Sequence, residues 1–231
     1  EINLRNLDDT DFIGIDTKYY KIQDTEVIDN NRNIKNINSI GLTPNSNYPN
    51  HFIITDGRFK QDNSNITGSI KIKIPPLTAS TMLSFWVDVF NYATGTSFSA
   101  YIAGYRYISS KNWVNASATI IGNENNLPVY FYYDASNFAN AWVYIGTIST
   151  IWNYPQIIIR NATVGYSSGV WANLATGWEI SIVQSYEGTL GLSLTNTSVL
   201  KSGGNIVVNT ITQGGNTIID SSGKVWRAVF N

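Results

Sequence analysis

The chain has 231 residues with 15 Lys and Arg against 16 Asp and Glu, one His and no Cys. That near-neutral balance offers no footprint for nucleic acid and no surface for anionic lipid, since both call for clustered Lys and Arg. The absence of Cys removes disulfides, thiolate nucleophiles and thiolate zinc sites. Charged residues make up 13% of the chain, about half the usual share, so Asn, Ser, Thr, Gly and Tyr must supply a hydrogen-bonding surface.

Residues 1–48 are rich in Asn and Asp and carry only short apolar doublets such as Val27-Ile28, too little to close a core alone. From residue 66 onward the apolar runs alternate with period two, which predicts half-buried strands and almost no helix. Ile66, Ile70, Ile72 and Ile74 alternate with polar residues until Pro75 and Pro76 stop the strand, because proline cannot donate to a ladder. In 83–89 the side chains of Leu83, Phe85, Val87 and Val89 point one way and those of Ser84, Trp86 and Asp88 the other. Trp86 and Trp178 lie mid-strand and are read as packing residues. Further strands are expected over 98–107, 113–121, 129–133, 141–145, 156–164 and 178–186, with Gly, Asn, Ser and Pro between them. Such spacing predicts a two-sheet antiparallel sandwich.

The expected organisation is therefore all-β: an N-terminal shaft-like segment over 1–48, an antiparallel β-sandwich knob over 49–190, and a C-terminal shaft-like hairpin segment over 191–231. One internal similarity joins the ends. Val27-Ile28-Asp29-Asn30-Asn31-Arg32-Asn33-Ile34 aligns with Ile218-Ile219-Asp220-Ser221-Ser222-Gly223-Lys224-Val225, and both read as strand, Asx-type turn, strand. Their apolar stripes are too narrow for a monomeric core, so neighbouring copies of the chain are expected to bury them. Beginning at Glu1, with no signal peptide or membrane-length apolar run, the chain is expected to be a piece of a longer protein.

These hairpin units resemble the shaft repeats of bacteriophage tail fibres. The centre is similar to a module of tail-fibre proteins through Asn65 to Ile72, Thr81 to Gly95, Ala141 to Gly146, Trp152 to Gln156, Val164 to Tyr166 and Gly177 to Ser181. The resemblance implies a homotrimeric receptor-binding element of the virion's tail fibre. It would be extracellular, joined to other tail proteins, and would attach the virion to a saccharide or an outer-membrane component of the bacterial surface, without inserting into a membrane or binding nucleic acid. Residues 123–140 depart from the pattern and are expected to carry host specificity, as variable loops on rigid scaffolds do. A structural connector domain of the fibre and a carbohydrate-binding module of a depolymerase are the competing readings.

The chemistry of single residues favours binding over catalysis. His51 is the sole histidine, so no multi-histidine metal cluster forms within one chain. Asp8, Asp9 and Asp11 cluster but lack the glycine and closing glutamate of an EF-hand loop. Six scattered carboxylates, on Asp56, Asp88, Asp134, Glu124, Glu179 and Glu187, show no spacing that selects a glycosidase pair. No cofactor or metal is expected, nor an enzyme. The Asn-x-Ser/Thr sequences at Asn65, Asn115, Asn161 and Asn196 are read as chance in an Asn- and Thr-rich chain. Aromatic residues are more telling, with seven Trp and 14 Tyr. Tyr and Trp combine a flat apolar face with a polar edge, which suits sugars and protein partners alike. The candidate receptor-binding residues are Tyr105, Tyr107, Trp113, Tyr132, Tyr133, Trp152, Tyr154 and Trp171.

Overall fold

A computed structural model describes residues 20–22, 25–28, 50–54, 56–93, 96–110, 112–122, 127–167, 174–195, 198–200, 211–213 and 216–219. The expectations for Asp8, Asp9, Asp11, Glu124 and Trp171 lie outside the described residues. The chain divides into two compact units, Glu1–Asn38 and Ser39–Asn231.

In the first unit, β1 (Tyr20–Ile22) and β2 (Thr25–Ile28) form an antiparallel hairpin with a bulge between Tyr20 and Lys21. In the second, β17 (Ile211–Gln213) and β18 (Asn216–Ile219) form a hairpin of the same register, bulged between Ile211 and Thr212. The aligned apolar pairs Val27-Ile28 and Ile218-Ile219 thus each end the second strand of a like hairpin. In each, the partner strand of the apolar pair is the one before it in the chain; the expected partners around Ile34 and Val225 lie outside the described residues.

The rest of the second unit is all-β among the described residues, and its strands form two main sheets. The larger has seven strands. Its order is β16 (Ser198–Leu200), β9 (Asn112–Ile121), β8 (Phe98–Tyr107), β7 (Thr81–Phe90), β13 (Gln156–Ser167) and β3 (Asn50–Phe52), with β4 (Arg58–Lys60) also pairing β13. Among the described residues the β16–β9 pair alone is parallel. The smaller sheet has the order β14 (Glu179–Val183), β6 (Ser69–Lys73), β11 (Ala141–Ile145), β10 (Val129–Tyr133) and β15 (Thr189–Leu194). A short pair, β5 (Ile66–Thr67) with β12 (Ile151–Trp152), lies beside them. The expected knob boundary at 190 falls inside β15.

Alternation decides what lies between the sheets. Leu83, Phe85, Val87 and Val89 of β7, Phe98, Ala100 and Ile102 of β8, and Ile157, Ile159 and Val164 of β13 meet Ile70 and Ile72 of β6, Val143 and Ile145 of β11 and Phe131 of β10 in one continuous apolar cluster. Each fully buried aliphatic side chain contributes about 1.5–3 kcal/mol by leaving water, which makes this cluster the main source of stability in a chain without disulfides. Trp178 closes it against Phe85, with ring centroids 4.8 Å apart.

A second, smaller cluster lies on the outer face of the five-stranded sheet. Tyr132, Trp142 and Tyr144 are buried there beneath the segment 184–188. Tyr186 stacks on Tyr132 at 5.2 Å and meets Tyr144 edge-on at 5.0 Å. The Tyr144 hydroxyl accepts from the Glu187 amide at 2.8 Å, and Glu187 also pairs with Lys71. Gly188, at φ 85°, passes directly over the Trp142 ring, where any Cβ would clash with the indole and the Tyr133 carbonyl.

Candidate functional site

The outer face of the seven-stranded sheet is uncovered among the described residues, and its outward side chains fall into rows across the strands. One row is built entirely of small or short groups: His51 of β3 pairs with Thr163 of β13, Thr163 with Ser84 of β7, Ser84 with Ala103 of β8, and Ala103 with Ser117 of β9. His51 Nδ1 lies 3.3 Å from the Thr163 hydroxyl. Crossing five strands at about 4.8 Å each, the row is about 19 Å long.

Large side chains stand on both sides of it. On one side, Arg160 lies over the Trp86 ring at 5.0 Å and Trp86 meets Tyr101 at 5.1 Å. On the other, Tyr166, Met82 and Tyr105 are in register, with Tyr105 edge-on to Tyr166 at 6.2 Å and stacked on Tyr107 at 5.5 Å. The result is a trough, opening into a depression of about 340 Å³ around Ser84, Ala103, Tyr105, Asn115 and Gly165. Its floor offers hydroxyls, an amide and an imidazole, and its walls offer aromatic faces. Asp88 sits just beyond the Trp86 wall, where Ser99 donates to it at 2.6 Å and Arg160 at 2.5 Å. Desolvation opposes its ionisation, but the hydrogen bonds from Arg160 and Ser99 prevail and hold the carboxyl below its ordinary value.

Two β-bulges shape the floor. Asn115 and Ala116 oppose the single Gly104, and Asn161 and Ala162 oppose the single Phe85. In each the Asn takes a left-handed backbone, φ 51° and 55°, the Ala turns inward to the core, and the following Ser117 or Thr163 joins the trough row. Asn65 has the same backbone, φ 55°. Two of the four Asn-x-Ser/Thr sequences, at Asn115 and Asn161, thus coincide with bulges.

The sequence-derived candidates separate into distinct places. Tyr105 and Tyr107 belong to the trough. Tyr154 is 45% exposed and meets Tyr92, 82% exposed, edge-on at 6.0 Å. Both come from turns tied together by the Asn91 side chain, which accepts from the Asn153 amide at 2.6 Å. Trp113 is buried in the core, donating from its indole to the Tyr132 carbonyl at 3.0 Å; Trp152 is 1% exposed and donates to the Gly68 carbonyl at 2.8 Å. These two are corrected to core residues, since neither leaves a face for a ligand. Tyr132, 9% exposed beneath Tyr186, is corrected likewise. Tyr133 is half-buried with its ring 5.4 Å from the Arg106 guanidinium. In the reverse direction Trp86, read from sequence as packing, stands half-buried on the trough wall.

The segment expected to carry specificity is internally tied where it is described. Asp134 accepts from the Ser136 hydroxyl and amide, the Asn137 amide and the Asn140 side chain, which together hold its carboxyl far below the usual range. Arg106, fully buried, reaches the Phe138 carbonyl at 3.1 Å and the Asn112 carbonyl at 3.2 Å. The other described carboxylates are separately engaged: Asp56 accepts from the Gly177 amide, Asp62 from Lys60, Glu179 from Lys73 and Glu187 from Lys71. Among the described residues no three His, Asp or Glu side chains converge. No protein-family model, curated protein or solved structure matches the chain.

Proposed function

We propose that this chain is the receptor-binding part of a bacteriophage tail fibre, which attaches the virion to a saccharide of the bacterial surface through the trough on the seven-stranded sheet. The observation that carries this reading is the trough itself: a row of short, mostly polar side chains, from His51 through Thr163, Ser84 and Ala103 to Ser117, between an aromatic row on Trp86 and Tyr101 and another on Tyr105 and Tyr166. A pyranose has C–H faces that pack on aromatic rings and a rim of hydroxyls that hydrogen-bond to Ser, Thr, Asn and His. A trough with both kinds of wall and floor suits a glycan segment laid across the strands.

The assembly belongs to the same proposal. The repeated hairpins β1–β2 and β17–β18 support a homotrimer in which each end buries its apolar stripe against two other copies, with further tail proteins as partners. Three chains of 25.6 kDa then travel together in light scattering. The same hairpins favour a second reading, a connector domain of the fibre shaft. Binding of the intact chain to an array of bacterial surface saccharides separates the two. Attachment predicts binding that falls about tenfold or more when Tyr105→Ala and Tyr166→Ala are combined, with an unchanged Tm. A connector binds none of the array, and undiminished binding by the double variant overturns the trough as the site.

A further inference from the structure

We infer that the far end of the same sheet face holds a second subsite, selective for an anionic sugar, in which Arg58 and Lys60 of β4 receive a carboxylate while its ring rests on Phe90. That the ligand is a saccharide rests on the attachment reading above; that it is anionic rests on the groove alone.

Here β13 runs between β4 and β7, so that Gln156 is flanked by Lys60 and Phe90, and Ile158 by Arg58 and Asp88. The outward side chains enclose an open groove of about 430 Å³, its apolar side chains being Phe90 and Ile158, while Phe59 turns inward to the core. Phe90 is 60% exposed, a large apolar surface left in water at the end of a central strand. Lys60 and Phe90 stand two strand spacings apart, about 10 Å, with room for one sugar ring over Gln156.

The charge of the groove is not already answered by its neighbours. Asp88 is ion-paired with Arg160 and accepts from Ser99, and Asp56 accepts from the Gly177 amide and forms no ion pair with Arg58 or Lys60. Arg58 has no ion pair among the described residues. Lys60 is paired only with Asp62 at 2.9 Å, where both side chains are well over half exposed, and such a pair is exchanged at little cost. A guanidinium fork beside an ammonium matches a carboxylate, which Arg binds through two parallel hydrogen bonds. The trough, by contrast, has no charged side chain on its floor. One face therefore carries a neutral site and a cationic one, and a polysaccharide with both neutral and acidic units would use both.

The test is amide NMR of the intact chain titrated with trigalacturonic acid and, in parallel, with maltotriose, a neutral trisaccharide. The proposal expects the acidic sugar to shift Arg58, Lys60, Phe90 and Gln156, more weakly as salt is added, and maltotriose to leave them unmoved. Combining Arg58→Gln with Lys60→Gln lowers the affinity for the acidic sugar about tenfold. Three results overturn it: no shift at these residues, undiminished affinity in the double variant, or a triglutamate peptide that binds the groove more tightly than the sugar. The Tyr105→Ala, Tyr166→Ala variant keeps the response to trigalacturonic acid, so failure of the trough and failure of this subsite are read separately.

Discussion

Asn115 of β9 and Asn161 of β13 adopt the same left-handed backbone at equivalent bulges on two strands separated by β8 and β7. Each inserts one extra residue, and each thereby sends an Ala into the core and a Ser or Thr onto the trough floor. A strand without its bulge would be out of phase by one residue beyond that point, and the outward row would break.

This relationship has a cost that mutation can measure. A β-branched residue is strained in the left-handed region by about 1–2 kcal/mol, whereas glycine enters it freely. Asn161→Val is therefore expected to lose about that much stability in urea denaturation and Asn161→Gly clearly less. Equal losses for the two would show that the side-chain amide, and not the backbone, matters at this position.

The second prediction concerns the cluster beneath residues 184–188. Tyr132 lies buried between Tyr144 and Tyr186, so its truncation empties a packed site and is not a surface change. Tyr132→Ala should cost about 3 kcal/mol of stability, seen as a lowered urea midpoint. A variant of wild-type stability would mean that the segment over it is not closed in solution.

The same cluster predicts an alkaline limit. Burial, with smaller contributions in the same direction from neighbouring tyrosines, pushes Tyr144 and Tyr186 up to about 12, whereas an unfolded tyrosine titrates near 10. A folded value raised above the unfolded one gives stability that is complete below pH about 10 and is lost as pH rises toward about 12. Denaturation midpoints should therefore fall through that window, and fall less steeply in Tyr186→Phe. Phenolate absorbance should show a late-titrating group in the folded chain; uniform titration near 10 would contradict the burial of Tyr144 and the partial burial of Tyr186.

Much of the fold was legible because alternation is a local signal. The outward set Ser84, Trp86 and Asp88 is read correctly from seven consecutive residues, and the strands 98–107, 129–133 and 141–145 have the bounds that the sequence predicts. The trough was not legible, since His51, Ser84, Ala103, Ser117 and Thr163 meet only through the pairing of five strands and two bulges. No single run announces that its small outward residue will stand beside four others. Trp113 and Trp152 misled for a related reason. They lie near turns, where aromatics are often exposed, but each indole is drawn inward to a backbone carbonyl, on Tyr132 and Gly68, contributed by a distant segment. Alternation places Trp86 on the outward side, but its packing against Tyr101 and Arg160 depends on cross-strand pairing that no single run of sequence carries.

Whether the trough binds receptor is tested most directly by filling it. Ser84 is the middle of its floor and points away from the core, so Ser84→Tyr adds a ring to the trough without disturbing the sandwich. The account predicts that this single change lowers binding to bacterial surface saccharides about tenfold or more while Tm stays within a degree or two, roughly the shift of surface substitutions. Full binding by a folded Ser84→Tyr chain would contradict it.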